Sequence, residues 1–194
     1  MDVDDYLYES QMLSRHGTTE VTSDAAGRLL VFERILKEYE IPLRRLTVSY
    51  VFEQADRDDL YQEITAAIWT ALPRFRGDSS ERTWVYRIAH NIAISASVRS
   101  RRRTQRETLL RQDTISKSLD PEAQSLESEQ RRLLIEAVRS VRGLDKQIIV
   151  LYLEGLTNRE IAEVVGLTEG ATATRLTRVR TQLAQFVKTR TGQE

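Results

Sequence analysis

Thr157-Asn158-Arg159-Glu160-Ile161-Ala162-Glu163-Val164-Val165-Gly166-Leu167-Thr168 is the stretch that decides how this chain folds. Thr157 and Glu160 stand at capping-box spacing, the threonine hydroxyl serving the third helical amide and the glutamate returning to the cap amide. Ile161, Ala162 and Val165 then face inward on a short helix, and Gly166-Leu167 makes a turn. Thr168 caps a last helix whose inward stripe is Thr172, Leu176, Val179, Leu183 and Phe186. A short capped helix, a glycine turn and a longer basic helix is the helix-turn-helix pattern, in which the second helix enters the DNA major groove. Arg175, Arg178 and Arg180 lie on the open side of that helix. Glycine-joined helices also occur in bundles with no DNA role, and arginines also line plain solvated faces, so the segment alone points to DNA without settling it.

Upstream, Asp145 to Glu154 reads as a helix ending at Gly155, and Leu126, Leu133, Leu134, Ala137, Val138 and Val141 mark another broken at Gly143. Asp120-Pro121-Glu122 supplies a cap, a proline at the first helical position and a favourable N-terminal acid. Thr104 to Leu119 has only scattered leucines and reads as a linker. Before it, Trp84, Val85, Ile88, Ala89, Ile92, Ala93 and Ala96 form one helical stripe, with Arg87, His90, Asn91 and Ile94 off it, so His90 is expected to be exposed. That helix runs out in Arg99-Ser100-Arg101-Arg102-Arg103, where cations suit the negative end of the macrodipole. Asp56-Arg57-Asp58-Asp59 can cap an earlier helix carrying Leu60, Ile64, Ala67, Ile68, Ala71 and Leu72 up to Pro73. Ala25 to Tyr39 reads as a short amphipathic helix stopping before Pro42, with a separate apolar stretch from Leu43 to Phe52. Residues 1 to 24 show no period.

Composition narrows the classes. The 194 residues are 30% charged and 40% hydrophobic, enough for a core. No stretch approaches the roughly 20 apolar residues of a membrane span, and MDVDDYLYES is acidic where a signal peptide is basic and then apolar, so a cytoplasmic protein without membrane insertion is expected. With no cysteine and only His16 and His90 as imidazoles, thiol chemistry and histidine-rich metal sites are excluded. The zero net charge hides a pattern: residues 1–27 carry −5, 28–103 carry +4, 104–130 carry −3 and 131–194 carry +4. Glu53 to Glu63 holds five acids and one arginine, whereas Arg82 to Arg106 holds seven arginines and no acid. Such a chain suits a polyanion on one surface and a basic protein on another, as it also suits an ordinary soluble helical protein.

Two basic helical modules on one chain suggest a reader of two separated DNA sites, and the wording of both is familiar. Asp58-Asp59-Leu60-Tyr61-Gln62-Glu63, Ala71 to Ser80 and Arg82-Thr83-Trp84-Val85-Tyr86-Arg87-Ile88-Ala89-His90-Asn91-Ile92-Ala93 closely resemble the minus-ten-binding domain of extracytoplasmic-function (group four) sigma factors of the sigma-70 family. Leu144-Asp145-Lys146, Leu151 to Thr157 and Arg159 to Leu167 resemble the minus-thirty-five-binding domain of the same family. The likeness covers about residues 28–103 and 122–188. It implies an all-α chain of two small helical domains joined by a flexible linker, the C-terminal one a helix-turn-helix. In this division residues 1–27 are an acidic extension, 28–103 the polymerase- and minus-ten-binding domain, 104–121 the linker and 122–194 the minus-thirty-five-binding domain.

By resemblance, Asp59, Leu60, Gln62 and Glu63 dock on the clamp helices of the largest subunit of core RNA polymerase, Leu60 supplying apolar burial. The flap of the second-largest subunit is a further contact, and an anti-sigma factor is an expected partner. Asp56 and Asp58 read better as capping and solvating residues, and Trp69 and Trp84 as core anchors. The loop Phe75 to Glu81 matches the family element that receives a base flipped from the minus-ten strand, and Asn91 matches a position that contacts it. Unstacking a base costs on the order of a few kcal/mol, which a polar pocket and cationic strand contacts must offset. Asp78, Ser79, Ser80 and Asn91 belong to that polar set, and Arg76, Arg82, Arg87, Arg99, Arg101 and Arg102 to the cationic one. Ser79 and Ser80 can equally cap the following helix. Thr168, Gly170, Ala173, Thr174, Thr177 and Arg178 match the minus-thirty-five contact set.

The chain departs from the family pattern at Thr172, on a usually aliphatic stripe, at Ala173, often Lys or Arg, and at Glu81, often aromatic. A buried threonine can bond back to the carbonyl four residues earlier, while Glu81 is expected to repel phosphate. The function implied is that of a polymerase sigma factor that recognises both promoter elements and helps melt DNA, with no catalysis, cofactor or metal of its own. A conventional helix-turn-helix regulator acting without core polymerase is the rival reading. An enzyme using Asp58, Asp59 and Glu63 as a metal site lacks supporting histidines or a phosphate loop.

Overall fold

The computed structural model describes residues 25–110 and 126–191, which form seven α-helices and no strand. Asp120-Pro121-Glu122, residues 1–24 and residues 111–125 lie outside them. The helices are α1 (Ala25–Tyr50), α2 (Gln54–Ala71), α3 (Glu81–Leu110), α4 (Leu126–Ser140), α5 (Gly143–Leu153), α6 (Asn158–Val165) and α7 (Glu169–Thr191), with a single 3-10 turn at Leu72–Arg74. None is long and apolar enough to cross a membrane.

α1 is one helix where two segments were expected, and Pro42 sits inside it. An internal proline costs about 3 kcal/mol through a lost amide and a clash with the preceding turn. Here Ile35, Tyr39, Leu43, Leu46 and Tyr50 continue one buried stripe across it, so burial on both sides outweighs the local penalty. α2 begins at Gln54 after Glu53, which makes no side-chain cap bond, so the expected cap at Asp56 to Asp59 does not form. Its Leu60, Ile64 and Ile68 pack against α1 and against Val85, Ala89, Ala93 and Ala96 of α3. Aromatic contacts bind this first unit: Phe32 meets Trp69 edge-on at 5.1 Å, Tyr39 meets Tyr86 edge-on at 6.2 Å and Phe75 meets Trp84 at a tilt at 4.8 Å. Both tryptophans are half-buried. α3 continues to Leu110, through the first seven residues of the expected linker; arginine-rich sequence is a good helix former even without an apolar stripe.

The second unit is the expected helix-turn-helix. Thr157 Oγ1 accepts from the Glu160 amide at 3.2 Å and Glu160 returns to the Thr157 amide at 2.8 Å, which closes the capping box. Gly166 ends α6 at φ +74, a left-handed conformation that glycine adopts without a Cβ penalty. Thr168 Oγ1 accepts from the Ala171 amide, and buried Thr172 bonds back to the Thr168 carbonyl at 3.0 Å. Ile148 to Leu151 are all buried, so the middle of α5 is covered on every side, while Tyr152 and Leu153 at its end are exposed. One side meets α6 and α7; the two units also touch each other, α3 against α6 and α1 against α4.

Candidate nucleic-acid interface

Between α2 and α3, the 3-10 turn ends at Arg74 and the chain passes through Phe75 to Ser80, with Gly77 at φ +76. Arg76 and Asp78 are exposed and Ser79 is half-buried. Ser80 caps α3: its hydroxyl accepts from the Thr83 amide at 3.1 Å and lies 2.8 Å from Thr83 Oγ1. Of the two roles open to Ser80, the capping one is occupied. Glu81 is not a bare charge, because Arg34 of α1 donates to both of its carboxylate oxygens. That pairing sets a cation beside the charge expected to repel phosphate and ties the start of α3 to α1.

Along α3, Asn91 is exposed and Arg87 half-buried. His90 is only 1% exposed, a correction to the exposure expected from its phase. Its Nδ1 lies 3.0 Å from the Tyr50 hydroxyl, and burial pushes its pKa down to about 4 against a smaller opposing pull from Gln147 of α5. The helix-turn-helix unit covers this side of α3. Arg82 is held there as well, its Nη2 donating to the Glu154 carbonyl at 2.7 Å. Arg99 pairs with Glu63 at 2.5 Å and Arg103 with Asp56, while Arg102 is exposed. The Arg101 side chain lies outside the described residues.

On α2, Asp59, Gln62 and Glu63 are exposed, and an open cleft of about 250 Å³ runs past Asp59 and Glu63 to Arg99 and Arg103. Leu60 is 1% exposed and belongs to the core of the first unit. It cannot supply an apolar contact to a partner without leaving that core, which removes it from the expected docking set.

On α7, Thr168, Gly170, Thr174, Thr177 and Arg178 are exposed and Ala173 is half-buried. Thr174 and Thr177 hydroxyls donate to carbonyls four residues earlier, both at 3.0 Å. Arg175 and Arg178 both reach Asp145, and Arg180 lies over the Tyr152 ring at 5.6 Å, so none of the three arginines is simply open to solvent.

The two units correspond to two known families in sequence order: Sigma-70 region 2 over residues 35–104 and Sigma-70 region 4 over residues 126–183. The ECF RNA polymerase sigma-E factor of Haemophilus influenzae is 29% identical over 171 residues, spanning 84% of this chain and 90% of that protein. The Escherichia coli sigma-E factor is 29% identical over 163 residues, with 79% and 85% covered. This chain is an ECF sigma factor of the sigma-70 family. The RNA polymerase sigma-H factor of Pseudomonas aeruginosa is also similar to it, at 27% identity over 163 residues. Its fold is that of CnrH, solved with the cytosolic domain of CnrY (TM-score 0.63, 19% identity, 89% of this chain and 96% of that one). It is likewise that of the sigma factor RpoE of Bartonella quintana, solved with the anti-sigma factor NepR (TM-score 0.63, 18% identity, 81% and 96%). In this sigma factor, Arg34, Arg45, Arg139, Asp145 and Glu154 make pairings between distant positions that the sequence does not announce. No local pattern marks them, because each acts on a partner at least 30 positions away.

Proposed function

We propose that this sigma factor docks on core RNA polymerase through the exposed face of α2, reads a minus-ten element with the first unit and a minus-thirty-five element with α7, and holds the opened strand. The presence of both regions in order on one chain carries this reading. Asp59, Gln62 and Glu63 offer a polar, acidic face to the clamp helices of the largest polymerase subunit. The flap of the second-largest subunit is the expected contact of the second unit. In the first unit, Arg76, Asp78 and Ser79 belong to the loop at 75–80 and Asn91 to the exposed side of the helix that follows it. A base drawn from the stack gains hydrogen bonds there, and Arg82, Arg87, Arg99, Arg101 and Arg102 follow the backbone. The protein acts in the cytoplasm, performs no chemistry of its own, and has an anti-sigma factor as a partner, in keeping with the fold it shares with RpoE.

The free chain binds promoter DNA weakly, since its net charge is zero and Arg82, Arg99, Arg175 and Arg178 already face protein oxygens. Co-purification with core polymerase tests the docking step. The native chain is expected to enter the complex, and Asp59→Lys with Glu63→Lys to leave it without loss of fold. Tight promoter binding by the chain alone at physiological salt, with none to core polymerase, would favour a conventional helix-turn-helix regulator.

A further inference from the structure

We propose that Asp145 is a positioning residue for readout of the upstream promoter element: its carboxylate, shared by Arg175 and Arg178, fixes the aim of Arg178 and keeps a loose cation off the phosphates. This rests on the DNA-reading role proposed above for α7. Asp145 lies in the first turn of α5, where the helix dipole favours an acid, and its two arginine partners are 30 and 33 positions away in sequence.

The faces of α7 make the aim of Arg178 matter. Thr172, Leu176, Val179 and Leu183 are buried on the side that packs against α4, α5 and α6. The opposite face is Gly170, Thr174, Thr177 and Thr181, all exposed. Each of its three threonine hydroxyls donates to the carbonyl four residues back, at 3.0, 3.0 and 3.1 Å. A hydroxyl so engaged has used its only proton. What remains for a base edge is a methyl group, suited to the thymine methyl, and oxygen lone pairs, suited to an exocyclic amine. From Gly170 to Thr181 that face has no free side-chain donor to give the O6 and N7 acceptors of guanine, and the role falls to the flank.

Arg178 occupies that flank and is 58% exposed. Its Nη2 donates to Asp145 Oδ2 at 2.6 Å, and Arg175 Nη1 donates to Asp145 Oδ1 at 2.9 Å. The two oxygens are therefore held by different arginines, and the carboxylate, 19% exposed, cannot swing without losing one. Arg175 braces Asp145, and Asp145 braces Arg178. A guanidinium has five N–H donors, so Arg178 keeps a free fork while it is held. The trio carries one net positive charge rather than two. A freed arginine would find a phosphate on any sequence and add affinity without selectivity, whereas a fixed one gains only where guanine comes within reach.

The test uses the full chain assembled with core polymerase and a promoter library randomised in the upstream element. Native holoenzyme selects its preferred element from the library. Native, Asp145→Asn and Arg178→Lys holoenzymes are then compared on that element, its single-base variants and unrelated fragments across a salt series. Asp145→Asn is expected to lose about fivefold or more of its discrimination at one base pair. It should also bind unrelated DNA more tightly at low salt, with a log–log salt slope steeper by about one. Arg178→Lys should lose discrimination at the same base pair with the slope unchanged. Native discrimination and native slope in Asp145→Asn would overturn the proposal. So would an equal loss on every fragment accompanied by a lowered thermal midpoint, which is the signature of a merely structural role. Failure of native holoenzyme to select any upstream element would instead overturn the proposed function of the second unit.

Discussion

Arg45 of α1 donates from Nε and Nη2 to the two carboxylate oxygens of Glu154, at 3.2 and 2.7 Å, and so joins the first unit to the end of α5 across 109 positions of sequence. The carboxylate is 6% exposed, with the Tyr86 hydroxyl 3.5 Å away. Arg82 takes the Glu154 backbone carbonyl from the other side, at the negative end of the α5 dipole. Nearby, Arg139 of α4 donates to the Val48 and Val51 carbonyls of the first unit and lies over the Phe52 ring at 4.3 Å.

Removing both partners separately and together should isolate the Arg45–Glu154 pair. The arginine is half exposed, so screening limits its worth, and a double-mutant cycle with Arg45→Ala and Glu154→Ala is expected to give about 1 kcal/mol of coupling in chemical denaturation. Glu154→Ala should also raise the radius of gyration of the free chain in solution scattering. A coupling near zero with an unchanged radius would mean that the pair does not hold the units together.

His90 gives the fold an acid limit. It is buried and neutral, with a folded pKa of about 4 against 6.5 for the free side chain. Between those values the unfolded chain binds the extra proton, so stability is full above about pH 6.5 and falls as the pH drops toward 4. The loss amounts to about 3 kcal/mol at the lower end. Tyr50 faces the imidazole from α1, and Lys146, buried on α5, lies over the Tyr50 ring. Denaturation midpoints across this range should slope less in His90→Gln than in the native chain.

Leu60 and Asp59 are adjacent in sequence and opposite in role. Leu60→Ala opens a cavity between α1, α2 and α3 and should cost about 2–5 kcal/mol. Asp59→Ala, on the exposed side of the same helix, should change stability by no more than about 0.5 kcal/mol while weakening capture by core polymerase. Thermal unfolding and a polymerase-binding titration separate the two.

The capping box at the start of α6 makes a local prediction. Thr157→Ala should cost about 1 kcal/mol. Burial alone would raise the Glu160 pKa, but hydrogen bonds from the Thr157 amide and hydroxyl, helped by the Arg82 charge, hold it below the ordinary carboxylate value. The stabilisation is therefore complete above the ordinary glutamate range and disappears as pH falls through the lowered folded pKa. Denaturation of Thr157→Ala and native chains should converge at acid pH.

What was legible in the sequence is what local chemistry writes there. The Thr157–Glu160 box, the Gly166 turn and the stripe from Thr172 to Leu183 depend on neighbours within a few positions, and they stand in the structure as expected. Phase alone sets His90 at the surface, because an apolar stripe reports one packed face. α3 has two, because Tyr86 and His90 touch Tyr39 and Tyr50 of α1 and also reach Glu154 and Gln147 of the second unit. Pro42 signalled a break that burial of Leu43, Leu46 and Tyr50 overrode. At the candidate site, charge type was readable but charge pairing was not. Arg34 with Glu81, Arg99 with Glu63 and Arg178 with Asp145 are all contacts between distant segments.

Transcript mapping tests the central claim most directly. Purified chain and core polymerase are incubated with genomic DNA fragments and nucleotides, and the 5′ ends of the RNA are located. The account predicts discrete starts, absent with core polymerase alone, each preceded by two shared upstream elements and reduced by Asn91→Ala. Starts no different from those of core polymerase alone would contradict it.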